Sequence, residues 1–305
     1  MNICSNQIKE VILHRFKVNS LQKLLIHINF LLAFSVLFCS HSAFGQSVEF
    51  SANVDGKAID LGPNFSVYWA ASNLKDNTGN DDFFNAYFFD ASTVFSGYSG
   101  YEKYWRVPTK AEIDYLIKNT TNSYSNNIAT FASKANTNQI TVSSMKYHMG
   151  GTGGGSSWFT TGWMFWSCTN KSDISRYVLR YDNGIKIDNL NRANGLPLRL
   201  VIDKKYVTVN IYEKIGAKSV LLETITKAYP QGTKYFSMQA ITDDCHTFDA
   251  WYRNGEKLND SNPGLKEIEN NYSYDVYFIR KTTNVKATTE DNRKGTVGIL
   301  EPINN

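Results

Sequence analysis

A threonine at position 109 and a glutamate at 112, set behind Pro108, constrain this chain more than any other feature. The spacing is a capping box, in which the hydroxyl accepts from a first-turn N–H while the carboxylate reaches back to the N-cap N–H. Pro108 keeps the preceding chain extended, so a helix is predicted to begin at Lys110. Ile113, Leu116 and Ile117 form one apolar stripe that buries a single face. The polar run from Thr120 to Asn127 then ends the helix near Asn119. The other regular signals are those of short strands. Val48 to Phe50 alternates, Asp60-Leu61-Gly62 and Val67-Tyr68-Trp69 flank the turn pair Pro63-Asn64, and Ile140-Thr141-Val142 makes a further strand. Tyr177 to Tyr181 and Ile185 to Ile187 flank Asp182-Asn183-Gly184, whose Asn-Gly pair suits the positive φ of a hairpin turn. Leu196 to Val201 reads as a closing strand, and past Asp203-Lys204-Lys205 alternating strands take over. The expected class is α+β, one capped helix among sheets and loops, followed by a smaller β-rich unit.

The first residues read as a secretory leader. Basic residues run up to Lys23, an apolar core spans Phe30 to Phe38, and Ala43-Phe44-Gly45 is a small-x-small cleavage site before Gln46. A membrane span needs about 20 apolar residues, and His27, Asn29 and His41 interrupt the stretch, so no stable span is expected. A lipidated Cys39 is the alternative, disfavoured by the bulk of Phe38 just before it. The predicted division is therefore 1–45 leader, 46–203 first domain, 204–281 β-rich module and 282–305 tail or partial further repeat.

The leader carries +3 of the chain's formal +4, as Lys9, Arg15, Lys17 and Lys23 against Glu10, which leaves the remainder near neutral. A nucleic-acid partner is not expected, because phosphate binding needs a basic run or face. Cys168 and Cys245 are the cysteines beyond the leader and stand too far apart in sequence for a disulfide framework or metal spacing. His148 and His246 are the histidines beyond it, with no paired ligand spacing for zinc. Gly150 to Gly155 lacks the Lys-Ser/Thr ending of a phosphate cradle and reads as a surface loop. Asp76 to Asp82 is oxygen-rich but lacks the terminal Glu of a calcium loop. No cofactor, metal or catalytic residue is expected.

Three segments in order, Ile59 to Ala70, Trp105 to Glu112 and Gly162 to Thr169, resemble the Fibrobacter succinogenes major paralogous domain, an exported family with a C-type-lectin-like fold. Ile59-Asp60-Leu61-Gly62 to Trp69-Ala70 is similar to its opening D-L-G…V-x-W-A. Trp105-Arg106-Val107-Pro108-Thr109 with Glu112 is similar to its W-R-L-P-T-x-x-E, and Gly162 to Thr169 is similar to G-x-Y-W-S-S-T, with Leu198 to Val201 resembling the terminal strand. Cys168 departs from the pattern, where a second Ser is common, and so does Asn85 to Asp90. From Tyr206 onward, Phe248 to Gly255 resembles the F-x-G-W-Y-x-N-G turn of a Listeria-Bacteroides or internalin-B-type repeat, with Ala250 in place of Gly. The formylglycine-generating family shares the Arg106 to Glu112 motif, but its chemistry needs a cysteine pair that Cys168 lacks.

These resemblances imply a secreted or cell-surface, non-catalytic binding or adhesion protein, a lectin-like domain displayed on a β-repeat stalk. Its partner would be an extracellular glycan or protein. The expected binding residues are Trp158, Trp163, Tyr181, Asn191 and Arg192, on loops brought to one end of the fold. Trp105 and Trp166 read as core, whereas Trp158, beside the glycine loop, reads equally as surface or core. The alternative is a structural subunit or tip of a surface fibre, whose partners would be other subunits.

Overall fold

The predicted helix forms where its capping box places it. In the computed structural model α1 spans Lys110–Asn119, Thr109 Oγ1 accepts from the Glu112 N–H at 3.2 Å, and Glu112 Oε2 accepts from the Thr109 N–H at 2.7 Å. The Lys110 N–H donates to Thr169 Oγ1 at 2.9 Å, so a further orphan donor of the first turn is satisfied from another strand. Ile113 and Leu116 are buried on one face, and the Thr120 hydroxyl closes the last turn on Leu116 O. The structure describes residues 46–54, 56–75, 83–85, 103–143, 146–149, 157–160, 162–181, 183–192 and 194–281. The expected leader, the tail after 281, the Gly150 to Gly155 loop and the Asp76 to Asp82 turn lie outside the described residues.

The described strands form five sheets. β1 (Ser47–Asn53), β16 (Lys234–Ile241) and β19 (Gly264–Glu267) form one, and β10 (Trp163–Ser172), β11 (Ser175–Tyr181) and β12 (Ile185–Asn191) form another. β4 (Phe83–Asn85), β13 (Asn194–Pro197), β8 (Lys146–Met149) and β9 (Ser157–Thr160) make a third, and β5 (Thr120–Ser125), β6 (Ile128–Ser133) and β7 (Gln139–Ser143) a fourth. The largest runs β18 (Glu256–Lys257), β17 (His246–Arg253), β20 (Tyr272–Arg280), β14 (Arg199–Ile215), β3 (Val67–Asn73), β2 (Ala58–Ile59), with β15 (Lys218–Pro230) paired to β14. With 66 % strand and one helix among the described residues, the protein is mostly β, the expected capped helix standing among several antiparallel and mixed sheets.

β14 organises the molecule. Its first residues pair antiparallel with β3, and Arg199 to Ile202 and Val67 to Ala70 are buried on both faces. Leu200 and Ile202 pack with Tyr68 and Ala70 into one core, while Val201 packs with Val67 and Trp69 into a second that also takes Ile113 and Leu116 of α1. Past Lys204 the strand alternates. Val207, Val209 and Ile211 enter a third core with Trp251, Tyr274 and Phe278, and the intervening residues face outward. The boundary expected after Asp203 thus falls inside one 17-residue strand. β1, from the opposite end of the described chain, pairs along β16 and sends Val48 into that third core, so the unit expected at 46–203 contributes a strand to the other.

The residues that carry the family resemblance turn out to be clamps onto this strand. Asp60 Oδ1 accepts from the Gly62 N–H at 2.8 Å and from Lys204 Nζ at 2.6 Å, and Lys204 also donates to Gly62 O. Gly62 has φ +125°, where an added Cβ would also meet Ala135 Cβ at 2.9 Å. Arg106 grips Glu112 through two bonds of 2.9 and 2.6 Å and reaches Asp203 at 2.8 Å. Arg199, 2 % exposed, donates to Asn73 Oδ1, Ala70 O and Thr141 O, which ties β14 to β3 and β7. A buried guanidinium is tolerable only when so satisfied.

The polar run from Thr120 to Asn127, expected only to end the helix, becomes β5 and its turn. Asn126 (φ 52°) and Asn127 (φ 60°) take the left-handed conformations of a two-residue hairpin that pairs β5 with β6.

Candidate functional site

The structure does not gather the expected binding residues. Trp158 lies in β9, opposite His148 of β8, and Trp163 opens β10 opposite Arg180. Tyr181 ends β11, half-buried, with its ring stacked on Tyr124 at 3.7 Å and 9°. Asn191 is exposed at the far end of β12, opposite Ser175, and Arg192 follows it with its N–H bonded to Ile174 O. Tyr181 and Asn191 therefore sit at opposite ends of β11, a separation of about 20 Å at a strand rise of ~3.3 Å. The expectation that these loops meet at one end is corrected: Trp163 and Tyr181 share one end of a sheet, Asn191 and Arg192 the other, and Trp158 belongs to a different sheet. Trp105 and Trp166 are buried at 4 % and 0 % exposure, as core residues.

A different aromatic set does come together, on the outward face of the sheet formed by β15, β14, β20 and β17. Alternation after Lys204 turns Tyr212 away from the third core, and the parallel register sets it beside Tyr277. Their rings stack at 4.9 Å and 12°, and Tyr252 meets Tyr277 edge-on at 5.1 Å and 72°. All three rings are half-buried. The neighbouring row, Thr224, Asn210, Asp275 and Tyr252, crosses the same four strands. The Thr224 hydroxyl donates to Asn210 Oδ1 and Asn210 Nδ2 donates to Asp275 Oδ1, each at 2.9 Å, so the row is oriented before any ligand arrives.

Charge at one end of this face is fixed by Lys214. Its ammonium pairs with Asp249 and lies 4.9 Å from the Tyr277 ring centre, and the bond to Asp249 raises its pKa above that of an ordinary lysine. Burial, with Asp275 nearby, raises the Tyr277 hydroxyl, which stays protonated and able to donate at neutral pH. Aromatic faces beside an ordered row of amide, hydroxyl and carboxylate groups suit a ligand with both apolar faces and hydroxyls.

Sequence reasoning also missed a buried polar knot. His246, 3 % exposed, has Nδ1 at 2.7 Å from Asp243 and Nε2 at 2.8 Å from Glu213, with Gln46 Nε2 at 3.0 Å. Arg280 donates to both Glu213 oxygens at 2.7 and 3.0 Å. Burial opposes ionisation of Glu213, but the bonds from Arg280 and His246 outweigh it and hold the carboxyl below the usual range. Both imidazole nitrogens face carboxylates, so the ring is engaged as a structural link and not presented as a base. No spacing signal announces such a knot, because residues 46, 213, 243, 246 and 280 meet only through space.

Cys168, 4 % exposed, sits in the first core, where burial pushes its thiol pKa up. A thiol kept protonated is a poor nucleophile. A cleft of about 460 Å³ opens between the two halves, lined by Lys103, Trp105, Gln231, Thr233 and Lys234 among others. Its Lys103 is already engaged by Glu267 and Glu269, each at 3.2 Å. Among the described residues no group of three or more His, Cys, Asp or Glu side chains is placed to hold a metal ion, and no helix is long and apolar enough to cross a membrane. No family model, curated protein or solved structure matches the chain.

Proposed function

We propose that this chain is an exported, non-catalytic binding protein, in which a C-type-lectin-like unit and a β-rich unit of the internalin-B-repeat kind are fused through β14. Its recognition surface is the outward face bearing Tyr212, Tyr277 and Tyr252, and its ligand a glycan chain. The observation that carries this reading is the tyrosine ladder beside the hydrogen-bonded row Thr224-Asn210-Asp275. Sugar rings offer apolar faces that stack on tyrosines at little entropic cost, and hydroxyls that the polar row can bind. The clamps at Asp60, Arg106 and Arg199 support it from the other side, since the residues most like a motif are spent on holding β14.

A glycan array probed with the chain lacking residues 1–45 tests the reading. Binding to a defined glycan, weakened about tenfold or more by Tyr277→Ala with unchanged unfolding, is the expected result. Retention of full binding in both Tyr277→Ala and Tyr212→Ala would remove this face from consideration.

A further inference from the structure

β15 is an open edge. Among the described strands it pairs with β14 alone, whereas the other side of β14 is covered by β20 from Val207 to Lys214. Every residue from Lys218 to Thr224 is exposed, including Val220, Leu221 and Leu222 at 46, 52 and 42 %. Proteins usually blunt an edge by keeping it short or by placing proline and inward charges along it. This one runs for 13 residues, with its proline only at the end and β-favouring Thr224-Ile225-Thr226 in its middle, and its core-side charges, Glu223 and Lys227, are of opposite sign and so able to pair across an edge. The register with β14 shifts between Ile211 and Tyr212, which leaves an irregular tip beyond Glu223 and a regular ladder from Glu223 to Pro230.

We propose that this edge pairs with the same edge of a second copy, antiparallel and about a two-fold axis centred on Ile225. The charges select that register. In a two-fold pair, residues equally far before and after the centre lie opposite one another on the same face. Centring on Ile225 sets Glu223 opposite the partner's Lys227 and, by symmetry, Lys227 opposite its Glu223, with Thr224 against Thr226. Centring on Glu223 or on Lys227 opposes like charges, which destabilises a strand pair. Centring on Thr224 or Thr226 leaves both charges facing uncharged neighbours. Glu223 and Lys227 share the face that packs toward the third core, where Lys227 Nζ already lies 4.3 Å from the Phe50 ring centre. The pairing would join the two sheets into one and set both tyrosine faces on the same side of it, so a dimer would present paired copies of the proposed recognition surface.

Sedimentation velocity of the chain lacking residues 1–45, across a micromolar dilution series, tests this. A monomer–dimer equilibrium is expected. Glu223→Lys alone and Lys227→Glu alone should each weaken it about tenfold, because each replaces two attractive pairs by two repulsive ones. The double reversal Glu223→Lys/Lys227→Glu should restore the parental dimer, a rescue that a merely structural role for either side chain does not predict. Thermal unfolding of each variant checks that the monomer is intact. Monomers at every concentration, open polymers, or a dimer indifferent to the reversals would overturn the proposal. So would a dimer that ignores the reversals but is lost on removing residues 282–305, which would make that segment the occupant of the edge.

Discussion

Replacing Glu112 by alanine tests whether the Arg106 to Glu112 motif holds the fold together. Three bonds end at this carboxylate: the Thr109 N–H at 2.7 Å, and Arg106 at 2.9 and 2.6 Å. Losing the cap contact costs about 1 kcal/mol. Hydrogen bonds between charged groups contribute about 1.5–3 kcal/mol when largely shielded, and the side chains here are 14 % and 23 % exposed. Arg106 keeps Asp203 at 2.8 Å, so its guanidinium is not stranded, and the two-bonded pair taken as one interaction contributes about 2 kcal/mol. The sum is about 3 kcal/mol, or roughly 6–12 °C of melting temperature for a chain of this size. Glu112→Gln retains an acceptor for the Thr109 N–H and should recover about 1 kcal/mol of the loss. Urea unfolding followed by tryptophan fluorescence measures both variants. A Glu112→Ala midpoint within about 0.5 kcal/mol of the parent, the level of an ordinary surface substitution, would refute the reasoning.

Gly162→Ala should destabilise by about 2 kcal/mol or more, because the added Cβ would sit 1.8 Å from Tyr181 O and force the backbones of β10 and β11 apart; chemical denaturation reads it. Acid stability should depend on Glu213. Its folded pKa is depressed, so the stability it contributes is present above the unfolded value of about 4.3 and is lost as pH falls through the folded value below that. Glu213→Gln should therefore flatten the acid limb of a stability–pH profile below about pH 4, and an unchanged limb would discount the knot. Thiol labelling of the folded chain lacking residues 1–45 should modify Cys245 well before Cys168, with Cys168 reacting only on unfolding, as mass spectrometry of the two peptides would show.

What was legible in the sequence was local. The Thr109 and Glu112 pair gave the helix to the residue, because both partners of a capping box lie within one turn. Asn183 (φ 52°) and Gly184 (φ 140°) gave the β11–β12 hairpin for the same reason. Thr120 to Ser125 was misread because every residue but Tyr124 is polar and most are exposed, so no apolar alternation marks the strand, although the Asn126-Asn127 pair after it was a turn signal. The placement of β1 was illegible. A short alternating segment shows only that it is a strand, and its partner, β16, comes nearly two hundred residues later. Trp158, Trp163, Tyr181, Asn191 and Arg192 were grouped as residues of loops expected to meet at one end, and only strand register decides such meetings, as it does for Tyr212, Tyr252 and Tyr277.

That contrast bears on where a ligand can act. Asp60, Arg106 and Arg199 look like functional residues because charged groups inside an aromatic motif are costly unless something needs them. Here the need is mechanical, for each has its hydrogen-bonding groups directed at Lys204, Glu112 and Asp203, or Asn73, Ala70 and Thr141. β14 carries the consequence outward. The residues pinned by these clamps and the tyrosine of the outward face lie on one unbroken strand, Arg199 to Ile215. A shift at Asp203 or Lys204 must then either bend β14 or slide its register against β20, which would part Tyr212 from Tyr277. Loosening the clamps should therefore disturb recognition from a distance. Asp203→Ala, which removes one Arg106 partner without emptying any core, should weaken the proposed ligand binding more than its small effect on unfolding accounts for, and equal losses in both would show that the clamps act on stability alone.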